Sequence, residues 1–162
     1  MTVINESAGS VYFTTIKNPE ELERIVSSKN DKKLYFALKN INFTYNALFR
    51  YLVEEFYPEN LQLSKSRSKL LSELMEVSES TFYRWKKSKK KVEEKYAERL
   101  TELIHLYTYG EEVFESKASF LEWLNSPNLH LDMKLPIEYI DSIPGIRYVK
   151  HLLDKIEYGA PI

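Results

Sequence analysis

The chain has 162 residues, of which 43% are hydrophobic and 14% aromatic, and a net charge of −1, so it can bury a core in one or two small domains. It contains no cysteine, which removes disulfides, thiolate zinc sites and cysteine nucleophiles together. No apolar run reaches the roughly 18–20 residues that span a bilayer, and the start lacks the basic and apolar regions of a secretory signal, so no membrane role is expected and the expected compartment is cytoplasmic.

With only 4 glycines and 6 prolines there is little material for tight hairpins, while Leu, Glu and Lys are abundant, so the predicted fold class is all-α. Charge is unevenly spread. Residues 1–60 carry seven bases and eight acids, 61–110 carry eleven and seven, and 111–162 carry five and nine. A basic middle beside an acidic end is the footprint of a nucleic-acid-binding unit joined to something that binds no polyanion, and it is equally the footprint of an unevenly solvated surface.

Residues 1–17 hold Gly9, several Ser and Thr and no helical period, and read as an irregular lead-in. Asn18-Pro19-Glu20-Glu21 is a helix start: Asn accepts from free amides, Pro fits the first turn and Glu21 stands three after the cap. A first helix is predicted over about 19–28. After the polar stretch Ser27–Lys33, Thr44 caps a second helix in which Leu48, Phe49, Leu52, Val53 and Phe56 recur at helical spacing, ending near Tyr57-Pro58. These residues read as core.

The segment from Ser68 to Trp85 resembles a helix-turn-helix. Leu71, Leu74 and Met75 form an inner face, Val77 plugs the turn, Ser78 caps the second helix, and Phe82 with Trp85 anchors it. That leaves Ser80, Thr81, Tyr83, Arg84, Lys86 and Lys87 outward, as a recognition helix requires to reach base edges and phosphates. Arg84 suits a guanine contact and Tyr83 a base or phosphate contact. Six bases in the eight positions Arg84–Lys91 would neutralise several phosphates, or would simply solvate a helix end. Glu76 stands in the turn where many such motifs place glycine. The next helix, from Val92 to about Tyr109, carries Tyr96, Leu100, Leu103, Ile104 and Tyr107 inward. Gly110 is the predicted boundary beyond it.

In the remaining residues, Ser116 caps a short helix with Phe120, Trp123 and Leu124 that Pro127 ends, Pro136-Ile137 opens another, and Ser142 with Gly145 turns into a final helix carrying Ile146, Val149, Leu152, Leu153 and Ile156. The order Glu112-Val113-Phe114, Trp123-Leu124, Pro127-Asn128, Leu131, Pro136-Ile137, Gly145, Val149 and Ile156-Glu157-Tyr158-Gly159 resembles the toxin-binding domain of the Xre/MbcA/ParS antitoxins. The resemblance covers about 65–162 and is strongest from 112 onward. It departs in two places: Leu131 is followed by Asp132-Met133 where the family commonly has two glycines, and Leu135 stands where Thr is expected before Pro136.

The resemblance implies a type II antitoxin with an N-terminal helical extension over 1–60, a Cro/Xre-like helix-turn-helix domain over 61–109 and a C-terminal toxin-binding domain over 110–162. It implies a cognate toxin that acts on NAD, of the RES-domain or ADP-ribosyltransferase-like kind, with the antitoxin's C-terminal end near the toxin's active site. Arg147, Lys150, Glu157, Tyr158, Gly159 and Ile162 are the toxin-binding residues implied. The tail offers an aromatic ring and carboxylates able to fill a nucleotide pocket or pair with its arginine. Operator DNA, and a homodimer or toxin–antitoxin hetero-oligomer, complete the expected partners. A DNA-binding transcriptional regulator without a toxin is the alternative.

Catalysis finds no support in the sequence. His105, His130 and His151 lack metal-ligand spacing, and the glycines stand singly at 9, 110, 145 and 159, with no phosphate cradle. No catalytic residue, metal or cofactor is expected.

Overall fold

The structure, a computed structural model, describes residues 15–58, 61, 63 and 65–159. Among these the chain is all-α. Its helices are α1 (Pro19–Ser27), α2 (Asp31–Leu38), α3 (Tyr45–Glu55), α4 (Arg67–Leu74), α5 (Glu79–Lys87), α6 (Glu94–Phe114), α7 (Lys117–Leu124) and α8 (Ile143–Glu157), with 3-10 turns at Leu129–Leu131 and Pro136–Tyr139.

Short polar side chains set most of the helix starts. Asn18, Asn30, Thr44, Ser66, Ser78, Ser116 and Ser142 each accept the amide three residues on, each bond replacing a partner the first turn lacks and contributing about 1 kcal/mol. Only α6 begins without such a cap.

Two expectations are corrected, and the irregular lead-in gains an anchor. The lead-in is pinned at its end: Ile16 is fully buried, its amide donates to the Asn40 carbonyl at 2.9 Å and its carbonyl accepts the Asn42 amide at 2.8 Å. Residues 1–14 lie outside the described residues. The polar stretch 27–33 is not a plain connection, because Asn30 within it caps α2, a helix that turns only Leu34, Ala37 and Leu38 inward. The long helix does not stop at Tyr109. It runs through Gly110 to Phe114 and ends where Glu115 takes a left-handed backbone at φ 56°. Gly110 is required for close packing, since a Cβ there would lie 2.3 Å from the Phe120 ring.

One hydrophobic cluster runs from Ile16 to Leu153 around α6. Aromatic pairs knit it across segments: Tyr45 of α3 stacks on Trp85 of α5 at 4.3 Å, Phe49 meets Phe82 at 4.0 Å, Phe56 meets Tyr107 of α6 at 4.4 Å, and Tyr107 meets Phe120 of α7 at 5.2 Å. Such pairs add about 0.5–1.5 kcal/mol each beyond their burial. The Tyr107 hydroxyl donates to the Phe56 carbonyl at 2.7 Å, so the ring is buried with its polar tip satisfied. Thus α3 packs on α5, and α6 carries both the N-terminal helices and the C-terminal ones. No described helix is long and apolar enough to cross a membrane.

Candidate functional site

The C-terminal helices are positioned by two tight contacts. Gly110 admits the Phe120 ring between α6 and α7. Gly145 lets the first turn of α8 lie against the Tyr139 carbonyl, which a Cβ would meet at 1.7 Å. Ser142 caps α8, and Ile146, Val149, Leu152 and Leu153 bury one face of it.

The opposite edge of α8 forms a polar seam with α6, the two helices running in the same direction. Arg147 pairs with Glu102 at 2.8 Å. Lys150 sits over the Tyr109 ring, 5.8 Å from its centre. The Tyr109 hydroxyl lies 2.9 Å from an Asp154 carboxylate oxygen and 2.5 Å from one of Glu157, so its single proton is shared between the two acceptors. Burial, and then these two carboxylates, push the Tyr109 hydroxyl pKa far above its ordinary value, so it remains a donor. His105 lies on the same seam, its pKa lowered by burial and by the Lys150 charge against the opposing pull of Glu102 and Asp31.

At the end of the seam, α1, α6 and α8 enclose a groove of about 470 Å³ bordered by Lys29, His105, Tyr109, Lys150, Glu157 and Tyr158. Of the residues assigned to toxin binding, Lys150, Glu157 and Tyr158 meet here. Tyr158 is 80% exposed, and Gly159 turns the chain with φ 64°, a conformation open to glycine without strain. Arg147 does not line the groove and is held by Glu102. Ile162 lies outside the described residues. The sequence reading missed Tyr109 and His105. Their spacing on α6, four residues apart, was a signal, but its partner face on α8 is visible only in three dimensions.

The turn after α7 is built by Asn128, whose side chain accepts the His130 amide at 2.9 Å while Leu131 is buried beneath it. Asp132 and Met133, which stand where the family commonly has glycines, both adopt left-handed backbone, at φ 51° and 63°. The loss of glycine in the sequence is therefore not a loss of the glycine-like conformation.

The face of α5 is exposed as its pattern requires. Ser78 accepts the Thr81 amide at 3.2 Å and Arg84 donates to the Thr81 hydroxyl at 3.3 Å. Phe82 is buried and Trp85 is stacked on Tyr45. Ser80, Tyr83, Arg84, Lys86 and Lys87 are exposed and Thr81 is half-buried. In the basic run that follows, Lys90 is occupied by Glu93 at 2.9 Å and by the Trp85 ring, and Lys91 donates to the Asn42 carbonyl at 3.3 Å. Lys86, Lys87 and Lys89 have no ion pair among the described residues. Among these residues no group of three or more His, Asp or Glu side chains is placed to hold a metal.

No curated protein matches the chain. The family model of the antitoxin Xre/MbcA/ParS C-terminal toxin-binding domain matches residues 110–159, the stretch that carries α7, both 3-10 turns, α8 and the Tyr158 rim of the groove. Residues 110–159, a little under a third of the chain, are thus similar to an antitoxin toxin-binding domain.

Proposed function

We propose that this protein is an antitoxin that neutralises an NAD-consuming toxin, RES-domain or ADP-ribosyltransferase-like, by covering its active site with the end of α8, and that α5 holds operator DNA so that the complex represses its own operon. The observation that carries the first half is the gathering of Lys150, Glu157 and the 80% exposed Tyr158 at one groove where the chain turns out at Gly159. A carboxylate and an aromatic ring on a short projecting end are groups that fill a nucleotide pocket and pair with its arginine. The second half rests on α5, whose inner face is locked by Phe82 and Trp85 while Arg84, Lys86 and Lys87 are exposed toward phosphates and base edges. On this reading, residues 1–60, 61–109 and 110–162 are segments of distinct duty in a cytoplasmic protein that works as a homodimer or a toxin–antitoxin hetero-oligomer.

The test is co-purification of the N-terminally tagged chain with the protein encoded by its adjacent reading frame, comparing the full chain with one ending at Asp154. The expected result is a stable complex with the full chain, and loss of that complex with return of NAD depletion on truncation. Absence of a complex with either form would leave a DNA-binding regulator without a toxin as the better reading.

A further inference from the structure

The loop between α7 and the turn at Pro136 has rigidity, strain and exposed apolar surface in one place. Asn128 and Lys134 close it by an antiparallel bridge, the Asn128 amide donating to the Lys134 carbonyl at 3.0 Å. Inside that ring the Met133 amide donates to the Asn128 carbonyl at 2.9 Å and the Lys134 amide to the Leu131 carbonyl at 2.9 Å. Leu131, 2% exposed, plugs the loop into the domain. The loop is a built element with a defined shape.

Two apolar side chains at its tip stay largely in water. Leu129 is 76% exposed and Met133 is 58% exposed. Asp132 and Met133 are consecutive left-handed residues. Asp tolerates that region because its short carboxylate can bond locally, whereas an unbranched apolar side chain has no such compensation. Met133 thus combines backbone strain with a largely exposed apolar side chain, a pairing that costs stability. Methionine is also the apolar residue best able to adapt to a partner surface. The loop lies inside residues 110–159, the toxin-binding domain, and four of the six exposed large hydrophobics among the described residues, Leu129, Met133, Tyr148 and Tyr158, fall in that stretch. The partner that covers this domain is therefore the occupant the loop faces.

We propose that Leu129 and Met133, displayed on this strained loop, are apolar anchors for the cognate toxin and determine which toxin the domain accepts. The inference rests on the antitoxin reading and adds to it a second contact, separate in sequence from the α8 end.

The experiment uses the full chain and the purified protein encoded by the adjacent reading frame, with dissociation constants from titration and thermal melts of each variant alone. Met133→Gly should raise Tm by about 2 °C or more through relief of strain, and Leu129→Ser should leave Tm unchanged because its side chain is already in water. Leu129→Ser with Met133→Gly should weaken toxin binding by about tenfold or more, the effect of removing two anchor side chains. A Tm that falls on Met133→Gly overturns the strain argument. Binding of the double variant within about twofold of wild type, with tight wild-type binding, overturns the anchor role and leaves the antitoxin reading standing. Changed self-association in sedimentation with unchanged toxin affinity also overturns it, by showing the loop to be a contact between copies of this chain. Failure of the wild-type chain to bind overturns both readings together.

Discussion

Glu76 holds a left-handed backbone, at φ 52°, while its carboxylate lies 2.7 Å from the guanidinium of Arg99. The two residues close the end of α4 together. The Glu76 amide donates to the Glu73 carbonyl at 2.9 Å and the Val77 amide to the Ser72 carbonyl at 3.0 Å, the pair of bonds that end a helix through a left-handed residue. Arg99, whose side chain is only 13% exposed, also donates to the Leu74 carbonyl at 2.8 Å and so ties the turn to α6. Glycine would take this backbone freely. The Glu76 carboxylate is exposed, and such pairs contribute little, so Glu76→Gly should raise Tm while Glu76→Ala, which keeps the strained backbone, should leave it nearly unchanged. Equal melting of the two variants would show that backbone strain does not matter at this turn.

Arg99 has the larger role, because it satisfies a carbonyl that α4 cannot. Arg99→Leu should destabilise the chain by roughly 1–3 kcal/mol, the scale of a charged hydrogen bond lost at a part-buried carbonyl. The hydrogen bond and charge of Arg99 hold the Glu76 carboxyl below its ordinary value of 4.5. A lowered folded pKa means a contribution that is present above that value and lost as pH falls through the folded one. Arg99→Leu should therefore also shrink the loss of stability below about pH 4.5, read from chemical denaturation at each pH.

His105 gives a pH dependence in a higher range. Burial lowers its pKa from the ordinary value of 6.5, so the unfolded chain takes up a proton more readily than the folded one. Stability should be constant above that ordinary value and decline as pH falls from it toward the lower folded value. His105→Gln should flatten that part of the profile. An unchanged profile would show that the imidazole is not desolvated against α8.

Gly110→Ala brings a methyl group to 2.3 Å from the Phe120 ring. Overpacking of this kind should cost about 1–3 kcal/mol. Because the clash lies between α6 and α7, hydrogen exchange should quicken first over 117–124. Uniform quickening across the chain would argue that the C-terminal helices do not loosen separately.

If α5 holds operator DNA as proposed, Lys86→Ala with Lys87→Ala should reduce the slope of log affinity against log salt by roughly 2, since each phosphate contact contributes about 0.9. Arg84→Ala should reduce sequence discrimination instead. Retention of the wild-type slope would remove these lysines from the DNA face.

The helices that sequence could read are those whose start and packing lie in consecutive residues. The caps Asn18, Thr44, Ser78, Ser116 and Ser142 all serve as their types suggest, and Leu71, Leu74, Met75 and Phe82 are buried as their spacing implies. What could not be read depends on distant residues. The helix α2 hid in a polar stretch because three modest apolar side chains give little period. Gly110 looked like a terminator because its reason, the Phe120 ring, arrives ten residues later. Of the groove, Glu157 and Tyr158 stand in the pattern that carries the resemblance, whereas Lys29 joins them only because α1 packs on α6.

Continuity of α6 through Gly110 separates the stretch that a family shares from the stretch that can fold. A fragment beginning at residue 110 would keep five residues of a 21-residue helix and would strip α8 of Glu102 and Tyr109, its partners along the seam. The apolar faces of α7 and α8 would then be open to water and to each other's copies. A fragment that keeps the seam of α8 must therefore start near Glu94, and shorter pieces should precipitate or swap rather than fold.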